Sequence, residues 1–180
     1  VAGLDSHVLD ARGIPVIRSD RGGQVTYHGP GQLVVYPLLH LRNYDLKVRE
    51  YVFLLEQVLI DTLTALGLPQ ACRKSGAPGV YLPWPVAAGP AQPGVAQPEL
   101  AKVAALGIKV TRGCSWHGMA LNVDMDLSPF LGINPCGYEG MQTVDLCAAG
   151  VKIQLHDAQA LLVSHLQAAL QLARSALQAT

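Results

Sequence analysis

A chain of 180 residues and 19.1 kDa is the size of one domain with a core of its own. With 50% hydrophobic and 14% charged residues it is too apolar to be disordered. Its 13 basic residues are matched by 13 acidic ones, so it lacks the basic excess of a nucleic-acid or anionic-membrane binder, and no apolar run is long enough for a membrane span. The charge is uneven: residues 1–112 hold 11 basic and 8 acidic residues, residues 113–180 hold 2 and 5. Chance explains that split as well as a basic face for an acidic partner does.

In chain order, Val16–Arg18 reads as a short strand. Arg21–Gly31 holds two Gly-rich turns around a β-branched and aromatic run, which predicts a strand between loops. Gln32–Leu39 reads as a buried strand. Asp45 is placed to cap a helix running to about Leu66, because Val48, Val52, Leu55, Leu59, Leu63 and Leu66 fall on one face. Gly67 stands at the stop position, with Pro69 beyond it. Gly79–Leu82 predicts a strand. Residues 83–100 carry Pro83, Pro85, Pro90, Pro93 and Pro98 and read as an exposed loop. Lys102–Thr111 reads as a strand kinked at Gly107, and Met119–Asp124 as another. Residues 126–140 are rich in Gly and Pro and read as a structured loop. A second helix is expected from His156 to Leu177, with Leu162, Leu166, Ala169, Ala173 and Leu177 as its stripe. Short strands and two helices make an α+β, or mixed α/β, domain.

The four cysteines form no Cys-x-x-Cys pair and are too sparse for a disulfide scaffold, so reduced thiols in the cytoplasm are expected. Cys136 lies in a loop between Pro135 and Gly137. It is either a small buried hydrophobe or a reactive thiol approached closely by another molecule. A reactive thiol needs a neighbouring cation, and Lys102, His117, Arg21 and His28 are the candidates. Lys102 is the only charged residue between Leu100 and Ile108; it points to solvent from an edge strand or is buried for use. Cys114 and His117 have a metal-like gap, but their spacing to other ligands matches no closed zinc motif. Arg21-Gly22-Gly23 could aim N–H groups and a guanidinium at an anion or carbonyl, and is neither a Walker loop nor a Rossmann fingerprint.

Three ordered blocks carry more than any of these alone. They are RGGQVTYHGPGQLVVYPLL at Arg21–Leu39, KSGAPGVYL at Lys74–Leu82, and AKVAALGIKVTRGCSWHGMALNVDMDLSPFLGINPCGYEGM at Ala101–Met141. Together they closely resemble the lipoyl(octanoyl) transferases, or octanoyl-acyl-carrier-protein:protein N-octanoyltransferases, over about residues 10–147 apart from the Pro-rich stretch. The resemblance implies a biotin/lipoate ligase-like fold, a mixed β-sheet flanked by helices. It implies transfer of an octanoyl group from octanoyl-acyl carrier protein to a lysine of lipoyl domains, those of 2-oxoacid dehydrogenases and the glycine-cleavage H protein. No cofactor, metal, nucleic acid or membrane is implied.

The family's nucleophile falls on Cys136, which would carry the acyl group as a thioester. Its lysine falls on Lys102, which would lower the thiol pKa and serve as acid and base. The substrate-binding segments fall on Arg21, Gly22, Gly23, Gln24, Val25, Thr26, Tyr27 and His28, on Ala105, Leu106 and Gly107, and on Gly118, Met119 and Ala120. Small residues at Gly107, Gly118 and Ala120 would leave room for an acyl chain. His117 and Asn122 match the H-G-x-A-L-N block and are expected to support the site. The family usually has a further N-terminal segment, so a single catalytic domain over residues 1–180 lacking that segment is expected, with 83–100 as an insertion loop. The competing readings are an ATP-dependent lipoate or biotin ligase, a non-catalytic acyl- or carrier-binding remnant, and a cysteine hydrolase using Cys136 and His117.

Overall fold

The apolar stripe of the first half forms helix α1, Val48–Ala65, in the computed structural model, which describes residues 7–84, 99–134 and 141–178. Asp45 does not cap it. Asp45 sits at φ 50°, closing a 3-10 turn over Leu41–Tyr44, and this left-handed backbone is not the extended one an N-cap requires. Lys47 is the N-cap instead, and its N–H donates to Glu50 Oε2 at 2.7 Å. Gly67, at φ 86°, ends the helix as expected. Tyr51, Leu55, Val58, Leu59 and Leu63 form the buried stripe. Helix α2, Leu155–Gln178, buries Ala158, Leu162 and Leu166 against α1 and the sheet. Its stripe leaves the core after Leu170, so Leu177 is exposed.

The strands are β1 (Gln32–Val35), β2 (Gly79–Trp84), β3 (Glu99–Thr111) and β4 (Cys114–Asn122), in the order β1-β4-β3-β2. All three pairings are antiparallel, and the parallel component expected of a mixed sheet is, among the described residues, the isolated bridge Lys102↔Thr143. β1 is shorter than expected. Pro37 has no N–H for a ladder, and its carbonyl accepts the Tyr51 and Ser115 hydroxyls. β4 begins earlier than expected because Arg112 and Gly113, both at positive φ, make a tight two-residue turn from β3. Val16–Arg18 and the run after Gln24 are not strands; neither joins the ladder, and both lie along a cavity wall. The expected loop at 83–100 is shorter at both ends, since Pro83 and Trp84 pair with Leu100 and Glu99; its remaining residues, 85–98, lie outside the described residues.

Alternation sorts the two faces. Leu33, Val80, Leu82, Ala104, Met119 and Leu121 join the helices in one apolar core. Gln32, Val34, Ala105, Gly107, Gly118, Ala120 and Asn122 line a cavity on the other face.

Candidate active site

Strict alternation would put Lys102 on the helix side with Ala104. The register prevents this. Val80 pairs with Ala104 but Tyr81 pairs with Lys102, so Val103 is an extra residue on β3. This bulge lets Val103 and Ala104 both join the core and turns Lys102 to the cavity face. Lys102 is only 5% exposed. Its Nζ donates to the Pro78 carbonyl at 3.3 Å and lies 5.2 Å from the centre of the Tyr81 ring. A buried ammonium needs such acceptors. The lysine also needs Gly79 beside it. A Cβ there would lie 3.2 Å from Lys102 Cε and 2.8 Å from the Ala104 carbonyl oxygen, at a φ of 138° that disfavours a side chain.

The cavity measures about 450 Å³, within the roughly 300–1,000 Å³ typical of small-molecule sites. Lys102, His117, Asn122 and every expected substrate-binding residue except Gly22 line it. Val8, Ile14, Val16, Ile17, Phe130 and Ile133 add an apolar wall that the sequence reading did not assign. Gly22 holds the wall in place: its N–H donates to the Ile108 carbonyl at 2.9 Å, on β3 beyond the Gly79↔Ala105 pair where β2 starts. The small floor residues do less than expected to leave free room. A Cβ on Gly118 would lie 2.1 Å from Val35 O, and one on Gly107 would lie 2.8 Å from Arg21 Cδ. Protein already occupies the space a side chain would take there.

Asn122 and His28 belong to one hydrogen-bonded chain through Gln32, a residue not singled out from sequence. Asn122 Nδ2 donates to the Val144 carbonyl at 3.0 Å, so Asn122 Oδ1 faces Gln32 and accepts from its Nε2 at 2.9 Å. That leaves Gln32 Oε1 as acceptor for His28 Nδ1 at 2.7 Å. A backbone carbonyl can only accept, so it sets the direction of each bond and puts a proton on His28 Nδ1. Gln32 and Asn122 are cross-strand partners in β1 and β4, which makes the contact possible. The Tyr27 and Phe130 rings meet edge to face at 5.5 Å along the same wall.

His117 has a separate partner. Its Nε2 lies 2.9 Å from Asp20 Oδ1, while Lys109 Nζ bonds Asp20 Oδ2. These contacts, Lys109 first and then His117, lower the Asp20 pKa to about 2. They tie the stretch before Arg21 to the β3–β4 hairpin. Burial pushes the Cys72 thiol up, and the Asp124 carboxylate leads in raising that of Cys147. Cys136 lies outside the described residues.

The model of the lipoyl protein ligase A/B catalytic domain matches residues 3–167. This chain belongs to that family. It is 58% identical over 165 residues to an octanoyltransferase of Bordetella parapertussis, covering 92% of this chain and 70% of that protein. It is 59% identical over 169 residues to an octanoyltransferase of Bordetella petrii, covering 94% and 75%. Among solved structures it resembles a bipartite lipoate protein ligase from Thermoplasma acidophilum, with a TM-score of 0.64 at 16% identity, over 89% of this chain and 59% of that one. The biotin protein ligase of Aquifex aeolicus gives a TM-score of 0.54 at 11% identity, over 81% and 55%. These two structures show the lipoate/biotin ligase fold. In this member of the family, Gln32 and the Val103 bulge are, beside the apolar wall, features that sequence reasoning missed. Gln32 stood in an apolar strand run, and the bulge depends on a pairing partner some twenty residues away.

Proposed function

We propose that this chain is an octanoyltransferase that moves an octanoyl group from acyl carrier protein to a lysine of a lipoyl domain, in the cytoplasm, through a thioester on Cys136. The observation that carries the reading is the buried Lys102 ammonium on the wall of an apolar-sided cavity of acyl-chain dimensions. The strong likeness to octanoyltransferases supports the same reading. Ile133 and Thr143 line the cavity, and Cys136 stands between them in sequence, so the thiol is within chain reach of it.

The steps need no ATP, because one thioester is exchanged for another. The Cys136 thiolate attacks the octanoyl carbonyl carbon, a new C–S bond forms, and the carrier's sulfur leaves as thiolate. The lysine amine of the lipoyl domain then attacks the acyl-enzyme. A C–N bond forms, the Cys136 sulfur leaves, and the amine loses a proton. Lys102 offers a cation to the thiolate in the first step and gives its proton to the departing carrier sulfur; neutral from that transfer, it takes the proton the amine loses in the second. The apolar wall holds the acyl chain, while the segment from Arg21 to His28 and the strand residues Ala105–Gly107 and Gly118–Ala120 frame the carbonyl end.

The test is intact-mass spectrometry after incubation with octanoyl-acyl carrier protein without ATP. The wild type should gain one hydroxylamine-labile octanoyl group, and Cys136→Ser should gain none under the same treatment. A folded wild type that stays unmodified, or that acts only with ATP and free octanoate, would overturn the reading.

A further inference from the structure

Glu56 is a charged residue of α1 that is only 7% exposed, and the proposed reaction gives it no task. Its two carboxylate oxygens are divided. Oε2 accepts from Arg73 Nε at 3.1 Å, and Oε1 accepts from the Gly79 N–H at 3.0 Å. The Gly79 N–H is one end of a peptide group whose other end is the Pro78 carbonyl, the acceptor of Lys102 Nζ at 3.3 Å. The carboxylate and the ammonium therefore grip opposite ends of a single peptide. The turn that carries this peptide, Lys74–Gly79, is also tied by the Tyr81 hydroxyl, which donates to the Ala77 carbonyl at 2.9 Å.

We propose that Glu56 is a positioning residue for Lys102, acting through the Pro78–Gly79 peptide. A negative charge accepting at the N–H end pulls electron density toward the carbonyl oxygen, and linked hydrogen bonds strengthen one another where water is excluded. The same grip fixes the direction in which the carbonyl faces Lys102. Burial of Glu56 confines both effects, since water cannot replace the carboxylate at the Gly79 N–H. Arg73 has a different part. It neutralises the outer carboxylate oxygen, and its other bonds, to the Phe53 carbonyl and Gln57 Oε1, stay on α1. This assignment gives a task to the KSGAPG stretch: it presents one backbone carbonyl to the lysine and the matching N–H to the helix.

The consequence for turnover rests on the octanoyltransferase reading, whereas the consequence for the peptide does not. Two measurements keep them apart. In transfer assays, Glu56→Gln should lower kcat about tenfold and leave KM for the octanoyl donor within about twofold, as expected when an interaction acts on the reacting groups and not on binding. Arg73→Gln, which keeps the Glu56–Gly79 bond, should leave kcat within about twofold of wild type even where it lowers Tm. For the peptide, labelling carbonyl carbons of Pro and amide nitrogens of Gly selects the three Pro–Gly peptides, at 30–31, 78–79 and 93–94. The Gly79 amide proton should move upfield in Glu56→Gln. It should also move in Lys102→Met, where the carboxylate is intact, and stay in place in Arg73→Gln.

Parallel losses of kcat and Tm in Glu56→Gln and Arg73→Gln would overturn the proposal, leaving Glu56 a purely structural ion pair. So would a Gly79 signal indifferent to Lys102→Met. If Glu56→Gln does not fold, the Lys102→Met spectrum still decides. If the wild type transfers no octanoyl group, the functional reading fails, and the amide shifts alone judge the relay.

Discussion

On one face of the sheet, α1 and α2 bury Tyr51, Leu55, Leu59, Leu63 and Leu162 completely against Val80, Leu82, Val103 and Leu121. On the other face the cover comes from the chain before β1, whose described residues, 7–31, hold no helix or strand and leave Val16 and Ile17 58% and 82% exposed. The first face is held by close-packed side chains at helical spacing. The second is held by a few directed bonds: Gly22 to Ile108, Asp20 to Lys109 and His117, and the line from His28 to Val144. A face built from polar bonds and apolar walls can open to a substrate and still keep named groups in fixed directions. Lys102 stands where the two meet, turned to the cavity by a bulge whose extra residue belongs to the core.

Substitutions on the two faces should therefore separate stability from turnover. Leu59→Ala, at a fully buried position on the helix side, should cost about 2–5 kcal/mol of unfolding free energy, read from urea titration, through lost burial and a cavity. Its kcat should match wild type at temperatures where it is folded. On the cavity side, Gln32→Met should cost less, about 1–3 kcal/mol, by leaving His28 Nδ1 and Asn122 Oδ1 without their shared partner. Octanoyl transfer should then fall about tenfold, since His28, in the segment that frames the carbonyl end, loses the bond that orients its ring. Equal effects on stability and turnover in both variants would abolish the distinction between the faces.

The helix-covered face was the more legible from sequence, and the reason is the range of the information. The spacing of Leu55, Leu59 and Leu63 states a buried helix within one window, and Gly67 states its end. Asp45 misled because capping depends on backbone dihedrals that the preceding 3-10 turn had already set. The cavity face depends on pairs far apart in the chain. Gln32 meets Asn122 only after β1 and β4 are aligned, and the bulge at Val103 exists only because β2 lies beside β3. The run after Gln24 has the composition of a strand, but its role is to form a wall, and composition does not distinguish the two. About half of the residues lining the cavity fall in segments that the family resemblance marks, because a resemblance marks whole segments without needing their geometry. The resemblance could not supply the partners: Glu56 with Gly79, Asp20 with His117, and Gln32 with His28.

The smallest expected effect lies at the edge of the cavity, where Asp20 joins the incoming chain to the β3–β4 hairpin. Bonds from Lys109 and then His117 hold its carboxyl at about 2 against an ordinary 3.8. A lowered carboxylate pKa means the folded state favours the ionised form. The stabilisation is therefore complete above the ordinary value and disappears as pH falls from 3.8 toward about 2. The side chain is well exposed, so salt should weaken the contact. Asp20→Asn should lower the urea midpoint slightly at pH 6 and raise KM for the acyl donor more than it changes kcat, because the variant loosens a wall and leaves Lys102 in place. The carbon resonance of the Asp20 carboxyl should titrate near the lowered value in the wild type and move up in Lys109→Met. An Asp20 carboxyl that titrates at its ordinary value would mean that the wall is held without Asp20, by Gly22, the line from His28 to Val144 and apolar contacts, and the two faces would then differ less in kind than in packing.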